Sequence, residues 1–204
     1  MATQILDIEY YLPERVLTND DLKRENPDWA MGKVYSKIGI AERRISAPGQ
    51  TASDLAYEAC RKLLARKLAP IEKIDYLIFC TQSPDHFLPS AACVLQDRLG
   101  LRTECGAFDF NLGCSGYVYG LGLAKALIQS GQATYVLLAT GDTYTKYINP
   151  RDRSVRTLFG DGAAATLVGP GEGPGDIGPF VLRSNGAGAR DLIEHRCAQL
   201  VTGL

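Results

Sequence analysis

The segment at residues 116–129, Gly-Tyr-Val-Tyr-Gly-Leu-Gly-Leu-Ala-Lys-Ala-Leu-Ile-Gln, has helical spacing but almost no polar face. Its main polar residues, Lys125 and Gln129, fall near its end. A helix that is apolar nearly all round is normally buried on every side. In a simple three-layer domain each outer helix has one solvent-exposed face. Because this helix lacks a polar face, we expect it to lie between two sheets. The alternative is that Tyr117 and Tyr119 line a solvent-exposed face.

Strand and helix patterns alternate along the chain. Strands are predicted at residues 3–11, 74–81, 106–112, 135–139, 163–168 and 177–184, and helices near 19–22, 28–38, 51–68, 89–99 and 115–130. The run at 74–80 is continuously apolar, which is typical of a buried parallel strand. We expect Asn19 to cap the first helix, Thr51 or Ser53 to cap the third, and Pro89 to lie in the first turn of the fourth. This alternation predicts an α/β fold with mixed strand directions near its end.

Composition narrows the class of protein. The chain has 204 residues, a net charge of −1 and 22% charged residues, which is ordinary for a soluble globular protein. This charge balance gives no reason to expect a nucleic-acid partner or a membrane surface. No apolar run approaches the length that spans a bilayer, and the first ten residues lack a signal-peptide pattern.

Six cysteines occur at wide spacing, with no CxxC pair, which argues against a zinc site or a redox motif. With only two histidines, His86 and His195, we expect no metal. We interpret Cys60, Cys80 and Cys93 as reduced, buried thiols of a cytoplasmic protein.

The residue that points to chemistry is Cys114. Phe108, Phe110 and Leu112 alternate as in a strand, and a helical pattern begins at Ser115. The cysteine therefore falls at a helix N-terminus, between Gly113 and Gly116, where free N–H groups and the helix dipole favour a thiolate nucleophile. The alternative is a buried cysteine that packs as a small apolar side chain.

Six motifs occur in order: Tyr-Leu-Pro-Glu-Arg-Val-Leu-Thr-Asn at 11–19, Ile-Gly-Ile-Ala-Glu-Arg-Arg-Ile at 38–45, Ser-Pro-Asp-His-Phe-Leu-Pro-Ser at 83–90, Phe-Asp-Phe-Asn-Leu-Gly-Cys-Ser-Gly-Tyr at 108–117, Asn-Pro-Arg-Asp-Arg at 149–153 and Leu-Phe-Gly-Asp-Gly-Ala-Ala-Ala at 158–165. With them the chain resembles the N-terminal half of a β-ketoacyl-acyl-carrier-protein synthase III, a thiolase-fold condensing enzyme. The resemblance defines a thiolase-like N-terminal domain at residues 1–190 and leaves 191–204 as a tail that does not resemble the family.

The resemblance implies a thiolase-like αβαβα architecture, of which this chain supplies mainly the N-terminal half, with helix 116–129 in the central layer. It also implies that Cys114 takes an acyl group from an acyl thioester. Decarboxylative Claisen condensation with a malonyl-carrier protein then follows, with backbone N–H groups, one of them from Cys114, holding the oxyanion. Coenzyme A (CoA) or acyl-carrier-protein (ACP) thioesters are the substrates, and no cofactor is implied.

Five substrate-binding residues and a dimer are also implied. Phe87 would reach towards the partner's acyl pocket, Arg153 would lie near the adenine of coenzyme A, and Phe159 belongs to the Leu-Phe-Gly-Asp-Gly motif. Lys33 and Lys37 stand where many relatives carry a tryptophan and an arginine that stack on adenine, so an acyl-carrier protein could replace coenzyme A. The alternative is that the two lysines lie on a solvent-exposed face of the protein and bind no substrate. Relatives are usually homodimers.

The family's catalytic histidine and asparagine come from the C-terminal half and do not appear before Leu204. His86 is interpreted as a loop or interface residue, and His195 falls where the pattern fades. We therefore expect an acyltransferase that needs a C-terminal half. The alternative is a non-catalytic or acyl-transfer-only subunit that pairs with a condensing-enzyme partner. A truncation, a frameshift and a natural split enzyme stay open. An exposed apolar helix face would make the chain self-associate or require a partner.

Overall fold

The computed structural model describes residues 2–171 and 175–191. A five-stranded sheet runs in the order β1 (Ala2–Tyr11), β7 (Gly162–Gly171), β6 (Tyr135–Asp142), β4 (Ile74–Cys80) and β5 (Gly106–Phe110). Strand β4 is parallel to β5 and β6, whereas β7 is antiparallel to β1 and β6. Strands β2 (Arg15–Thr18) and β3 (Glu42–Ile45) form a separate antiparallel pair. The predicted α/β fold with mixed strand directions is confirmed.

Six α-helices are described: α1 (Asn19–Glu25), α2 (Met31–Ile38), α3 (Ala52–Leu64), α4 (Ala91–Arg98), α5 (Gly116–Gln129) and α6 (Arg153–Arg156). Helices α3 and α4 cover one face of the sheet, and α5 covers the other. Alternation along β4 sends Leu77 and Phe79 into the α3/α4 core and Ile78 into the α5 core. Both faces of β4 are thus buried, which explains why this strand is apolar without interruption.

Helix α5 is buried on one face only within the part of the chain that the structure describes. Gly120, Leu121 and Ala124 pack against the sheet, whereas Val118 and Leu123 are 44% and 40% exposed. The sheet expected on its other side is not formed by residues 2–171 or 175–191. One of the two expected sheets therefore packs against α5, and the apolar face on the other side of the helix is exposed to solvent.

Two helix-start predictions were wrong. Helix α1 is capped by Thr18 and not by Asn19: the Thr18 hydroxyl accepts from the Asp21 N–H at 3.1 Å, and the Asp21 carboxylate accepts from the Thr18 N–H at 2.8 Å. The Asn19 amide instead donates to the Ile40 carbonyl at 2.9 Å. Pro89 precedes the N-cap Ser90 and so lies outside α4. Of the two caps predicted for α3, Thr51 and Ser53, the structure has Thr51.

The predicted strand at 177–184 was also wrong, because residues 175–185 have no regular structure. Strand β7 is already paired on both edges, with β1 and β6, so it offers no free edge there. Pro179 interrupts the segment and has no N–H to donate to a ladder. The segment is held by the Ile177 N–H, which donates to the Thr3 carbonyl at 2.8 Å, and by the Lys125–Asp176 ion pair at 2.7 Å.

The domain boundary predicted at residue 190 and the tail at 191–204 are not tested, since residues 192–204, with His195 and Cys197, lie outside the described residues. In the described part of the chain, no helix has both the length and the apolar character needed to cross a bilayer.

Candidate active site

The carboxyl ends of the parallel strands β4, β5 and β6 meet at one edge of the sheet. The loops that follow them, at 81–90, 111–115 and 143–152, leave from this edge. Strand β7 begins there, because Asp142 at the end of β6 pairs with Gly162. The carboxyl edge of such a sheet is where α/β proteins bind ligands.

Cys114 lies at this edge, in the turn between β5 and α5, one residue before the N-cap Ser115. It is exposed, which excludes the alternative of a buried packing residue. The Gly116 N–H donates to the Gly113 carbonyl at 2.8 Å and closes the turn. Within residues 2–171 and 175–191, no group accepts a hydrogen bond from the Cys114 backbone N–H. The Cys114 thiol and the Cys114 backbone N–H are therefore both available to a ligand.

The end of β4 holds the turn that carries Cys114. Cys80 Sγ donates to the Leu112 carbonyl at 3.1 Å, and a Cβ atom on Gly116 would overlap that sulfur. A Cβ atom on Gly113 would lie 2.8 Å from Gln82 Oε1. Cys80 therefore leaves no room for a side chain at Gly116, whereas a Cβ atom on Gly113 would only displace the end of the exposed Gln82 side chain.

Asp142, at the end of β6, fixes the first residues of the 81–90 loop. Its Oδ1 accepts from the Gln82 N–H at 2.7 Å, the Ser83 N–H at 3.0 Å, the Ser83 hydroxyl at 2.9 Å and the Thr81 hydroxyl at 3.1 Å. Burial raises the pKa of the Asp142 carboxyl, although these hydrogen bonds act in the opposite direction. One carboxylate thus joins the ends of two neighbouring strands beside Cys114.

The rest of this loop is fixed at two further points. Asp85 accepts from the Thr51 hydroxyl at 3.0 Å and from the Ser53 N–H at 3.2 Å, at the start of α3. Asp109, on β5, accepts from the N–H groups of Ala91 at 2.7 Å and Ala92 at 2.6 Å, at the start of α4. Between these two points the chain forms an apolar apex.

That apex is Phe87 and Leu88, which are 69% and 87% exposed. Phe87 was predicted from the sequence, and Leu88 was not. Large apolar side chains that are mostly exposed on a fixed loop favour a contact with another molecule.

Phe159 lies in the loop before β7, at the same edge, and packs edge-on against Tyr144 with the ring centroids 5.0 Å apart. This loop is held by Asp161, which is buried. Its carboxylate accepts from the Ser46 N–H at 2.8 Å and hydroxyl at 2.7 Å, and from the Thr145 N–H at 2.9 Å and hydroxyl at 2.7 Å. Phe159 itself remains 42% exposed.

Arg153, Lys33 and Lys37 are exposed, and no hydrogen bond or ion pair among the described residues links them to the Cys114 turn. Arg153 begins α6, whereas the two lysines lie on α2, which packs with the β2–β3 pair. The two regions are joined by the buried Arg43 on β3, which donates from Nε to the Thr157 carbonyl at 2.9 Å, just after α6. Burial and the nearby Arg156 lower the pKa of Arg43.

Sequence reasoning missed Cys80, Gln82, Asp109 and Asp142. The sequence did carry a signal for Cys80, Gln82 and Asp142. Gln82 and Asp142 are polar residues that follow apolar strand patterns, and Cys80 is the last residue of one of those patterns. Asp109 gave no such signal, because it lies within a strand and its partners belong to a distant helix.

The other cysteines of the described residues differ in how far they are buried. Burial raises the pKa of Cys60 to about 12 and also raises the pKa values of Cys80 and Cys105, so these thiols stay protonated. Cys93 was predicted to be buried but is exposed on α4. No group of three histidine, cysteine or acidic residues suited to a metal ion is found among the described residues.

A surface groove lies elsewhere, between the ends of β1 and β3 and the start of α3. Tyr11, Ile45, Tyr57 and Arg98 are among its lining residues. Arg98 lies 4.7 Å from the centre of the Tyr57 ring and pairs with Asp54 at 2.9 Å. None of the predicted site residues lines this groove, so we do not assign it to the same site.

Comparison with known proteins shows which family the chain is similar to. Residues 108–186 match the family described as 3-oxoacyl-[acyl-carrier-protein] synthase III. The chain is 40% identical over 196 residues to a β-ketoacyl-[acyl-carrier-protein] synthase III of Caldanaerobacter subterraneus, covering 94% of this chain and 57% of that protein. It is 56% identical to a solved 3-oxoacyl-(acyl-carrier-protein) synthase III, with a TM-score of 0.91, covering 95% of this chain and 58% of that one.

The corresponding structure from Thermus thermophilus is 37% identical, with a TM-score of 0.87 over 93% of this chain and 58% of that chain. The chain therefore spans somewhat more than half the length of these relatives. The fold is the N-terminal half of the thiolase-like architecture that the motifs implied. By sequence and by fold, the chain is similar to the N-terminal half of β-ketoacyl-acyl-carrier-protein synthase III proteins.

Proposed function

We propose that this chain carries the acyl-transfer half of a synthase III reaction, with Cys114 as the nucleophile. The observation that carries the proposal is an exposed thiol in the turn before α5, at the carboxyl edge of the parallel strands, beside a backbone N–H without an acceptor among the described residues. This arrangement presents a nucleophile and an oxyanion donor to the same space.

In the first step the Cys114 thiolate attacks the carbonyl carbon of an acyl thioester. A carbon–sulfur bond forms while the bond to the leaving thiol breaks, and the released thiolate takes up a proton. The Cys114 N–H would donate to the oxyanion of the tetrahedral intermediate. The product is an acyl-enzyme, and the step needs no cofactor beyond the coenzyme A or acyl-carrier-protein thioester itself.

In the second step a malonyl-ACP would lose carbon dioxide, and the resulting carbanion would attack the acyl group to give a 3-oxoacyl thioester. The resemblance assigns the stabilising histidine and asparagine to a C-terminal half. We propose that the condensation requires that half in addition to the residues described here.

Substrate contacts are proposed for five residues. Phe87 and Phe159 are exposed at the same sheet edge as Cys114, which suits an acyl pocket, with Phe87 serving a partner subunit. Arg153, Lys33 and Lys37 are exposed cations on α6 and α2, which suits the phosphates of coenzyme A or an acidic carrier protein. These two clusters would bind opposite ends of one thioester.

The open face of α5 favours a protein partner. Val118 and Leu123 leave an apolar surface on a helix that packs on a sheet with its other face. We propose that a complementing C-terminal half covers this face and that the assembled protein is a homodimer. If no acyl-enzyme forms, the alternative is a non-catalytic subunit of a condensing enzyme. We also propose a cytoplasmic location, on the basis of the buried, protonated thiols.

Incubation with acetyl-CoA or acetyl-ACP, followed by intact mass spectrometry, tests the proposal. We expect an adduct of one acetyl group that is absent in Cys114→Ala and retained in Cys93→Ser. Acyl-enzyme without 3-oxoacyl product on addition of malonyl-ACP would support the acyl-transfer-only assignment. An adduct that persists in Cys114→Ala, or no adduct with either donor, would refute Cys114 as the nucleophile.

A further inference from the structure

The backbone of Gln82 is held in place by a hydrogen bond, whereas its side-chain amide forms none with the described residues. Its N–H is held by Asp142 Oδ1 at 2.7 Å. Its side-chain amide is exposed, and no residue in the described part of the chain forms a hydrogen bond with it. An amide carries two donors and an acceptor with two lone pairs, so its whole hydrogen-bonding capacity is left for solvent or a ligand.

The amide lies against the residue that precedes Cys114. Measured from the position that a Cβ atom on Gly113 would occupy, Gln82 Oε1 is 2.8 Å away and Nε2 is 3.3 Å away. Adjacent Cα atoms are about 3.8 Å apart, so the amide lies within a few bond lengths of the Cys114 backbone. A group attached to Cys114 that runs over Gly113 would meet this amide within its first few atoms.

We propose that Gln82 determines acyl specificity, by selecting acyl groups with a hydroxyl or carbonyl oxygen on the third carbon over saturated chains. The inference rests on the proposed function of Cys114. An oxygen at that carbon would pair with the Gln82 amide. A methylene chain over the amide would remove water from it without offering a partner, which costs free energy. Sites with a hydrogen-bonding group discriminate strongly against analogues that lack its partner.

Two acyl-CoA donors of the same shape test this specificity. In competition, 3-hydroxybutyryl-CoA and 3-methylbutyryl-CoA differ by a hydroxyl in place of a methyl group. We expect the wild-type chain to load the hydroxy acyl group about tenfold faster onto Cys114. Gln82→Leu should abolish or reverse the preference. Gln132→Leu, at an exposed glutamine in the turn after α5, is the matched control and should keep it.

A second measurement does not depend on acyl transfer. Alkyl methanethiosulfonates label a thiol by disulfide formation, with methanesulfinate as the leaving group. In a Cys93→Ser background, we expect Cys114 to react faster with the 3-hydroxypropyl reagent than with the butyl reagent, measured relative to a free thiol. Gln82→Leu should remove that difference.

The two measurements separate the possible failures. Equal selectivity of wild type and Gln82→Leu towards the thiosulfonates overturns the role of Gln82, whether or not acyl transfer occurs. Thiosulfonate selectivity that depends on Gln82, without any acyl loading, supports the Gln82 contact and refutes the proposed function. Acyl loading that shows no preference dependent on Gln82 overturns the specificity inference and leaves the proposed function intact.

Discussion

Cys80 Sγ donates a hydrogen bond to the Leu112 carbonyl at 3.1 Å, and the same sulfur fills the space where Gly116 would carry a side chain. Burial raises the pKa of Cys80, so the thiol keeps the proton that it donates. The turn that carries Cys114 is thus shaped by the neighbouring strand and not only by its own sequence. This relationship makes the stability of the turn testable by substitution.

Gly116→Ala should lower the free energy of unfolding by about 2 kcal/mol, because its methyl group would overlap the Cys80 sulfur. Gly122→Ala is the matched control in the same helix. The three atoms nearest to its methyl group would belong to Phe180, at 3.8 Å, which is an ordinary contact. Because alanine loses less conformational entropy than glycine in a helix, this substitution should raise the free energy of unfolding by about 0.5–1 kcal/mol. Urea unfolding measures both. Equal effects at the two positions would contradict the close approach of Cys80.

Asp109→Ala should destabilise the protein by about 2 kcal/mol, because it removes the carboxylate that accepts from two N–H groups at the start of α4. The control is Asp97→Ala near the end of the same helix, whose side chain is exposed. We expect a change there of less than about 0.5 kcal/mol. Thermal unfolding compares the two. A larger loss for Asp97→Ala would contradict a stabilising role of the Asp109 carboxylate at the start of α4.

The carboxyl group of Asp142 should make stability depend on pH. Burial raises its pKa in the folded state above the ordinary value of 3.8, so the folded state binds the proton more tightly than the unfolded state. Its contribution is therefore present below pH 3.8 and is lost as the pH rises through the raised value. Relative to wild type, Asp142→Asn should gain stability as the pH rises across this window.

Chemical unfolding of wild type and Asp142→Asn at several pH values between about 3.5 and 7 measures this difference. A stability difference that does not vary with pH, or that shifts towards wild type as the pH rises, would contradict a buried carboxyl with a raised pKa.

Native labelling with iodoacetamide should modify Cys114 and Cys93, the two exposed thiols of the described residues. Cys60, Cys80 and Cys105 should react only after unfolding, because burial keeps them protonated and out of contact with the reagent. Peptide mapping by mass spectrometry identifies the labelled sites. Labelling of Cys60 before Cys114 would disprove this order of exposure.

Leu123→Lys, on the open face of α5, should reduce self-association of the isolated chain, since it places a charge on an exposed apolar surface. Light scattering across a range of concentrations measures the effect. The control is Ile71→Lys, at an apolar residue of similar exposure that lies before β4 and away from α5. A chain that is monomeric before any substitution would show that this face needs no cover.

The local elements follow from the sequence because their causes are local. Continuous apolarity of 74–80 predicted β4, and alternation at 108–112 with flanking glycines predicted the β5 turn that exposes Cys114. The two candidate caps, Thr51 and Ser53, likewise placed the start of α3, and Thr51 is the cap. Periodicity and capping depend on residues a few positions apart, which one sequence displays directly.

The surroundings of Cys114 were decided by tertiary structure. Cys80 meets Leu112, Asp142 meets Gln82, and Asp109 meets Ala91 only because parallel strands bring their carboxyl ends to one edge. The strand predicted at 177–184 failed for a related reason, since pairing with β1 and β6 leaves β7, the strand that precedes this segment, without a free edge. Sequence spacing records which residues share an element, whereas contacts between elements depend on the order and direction of the strands.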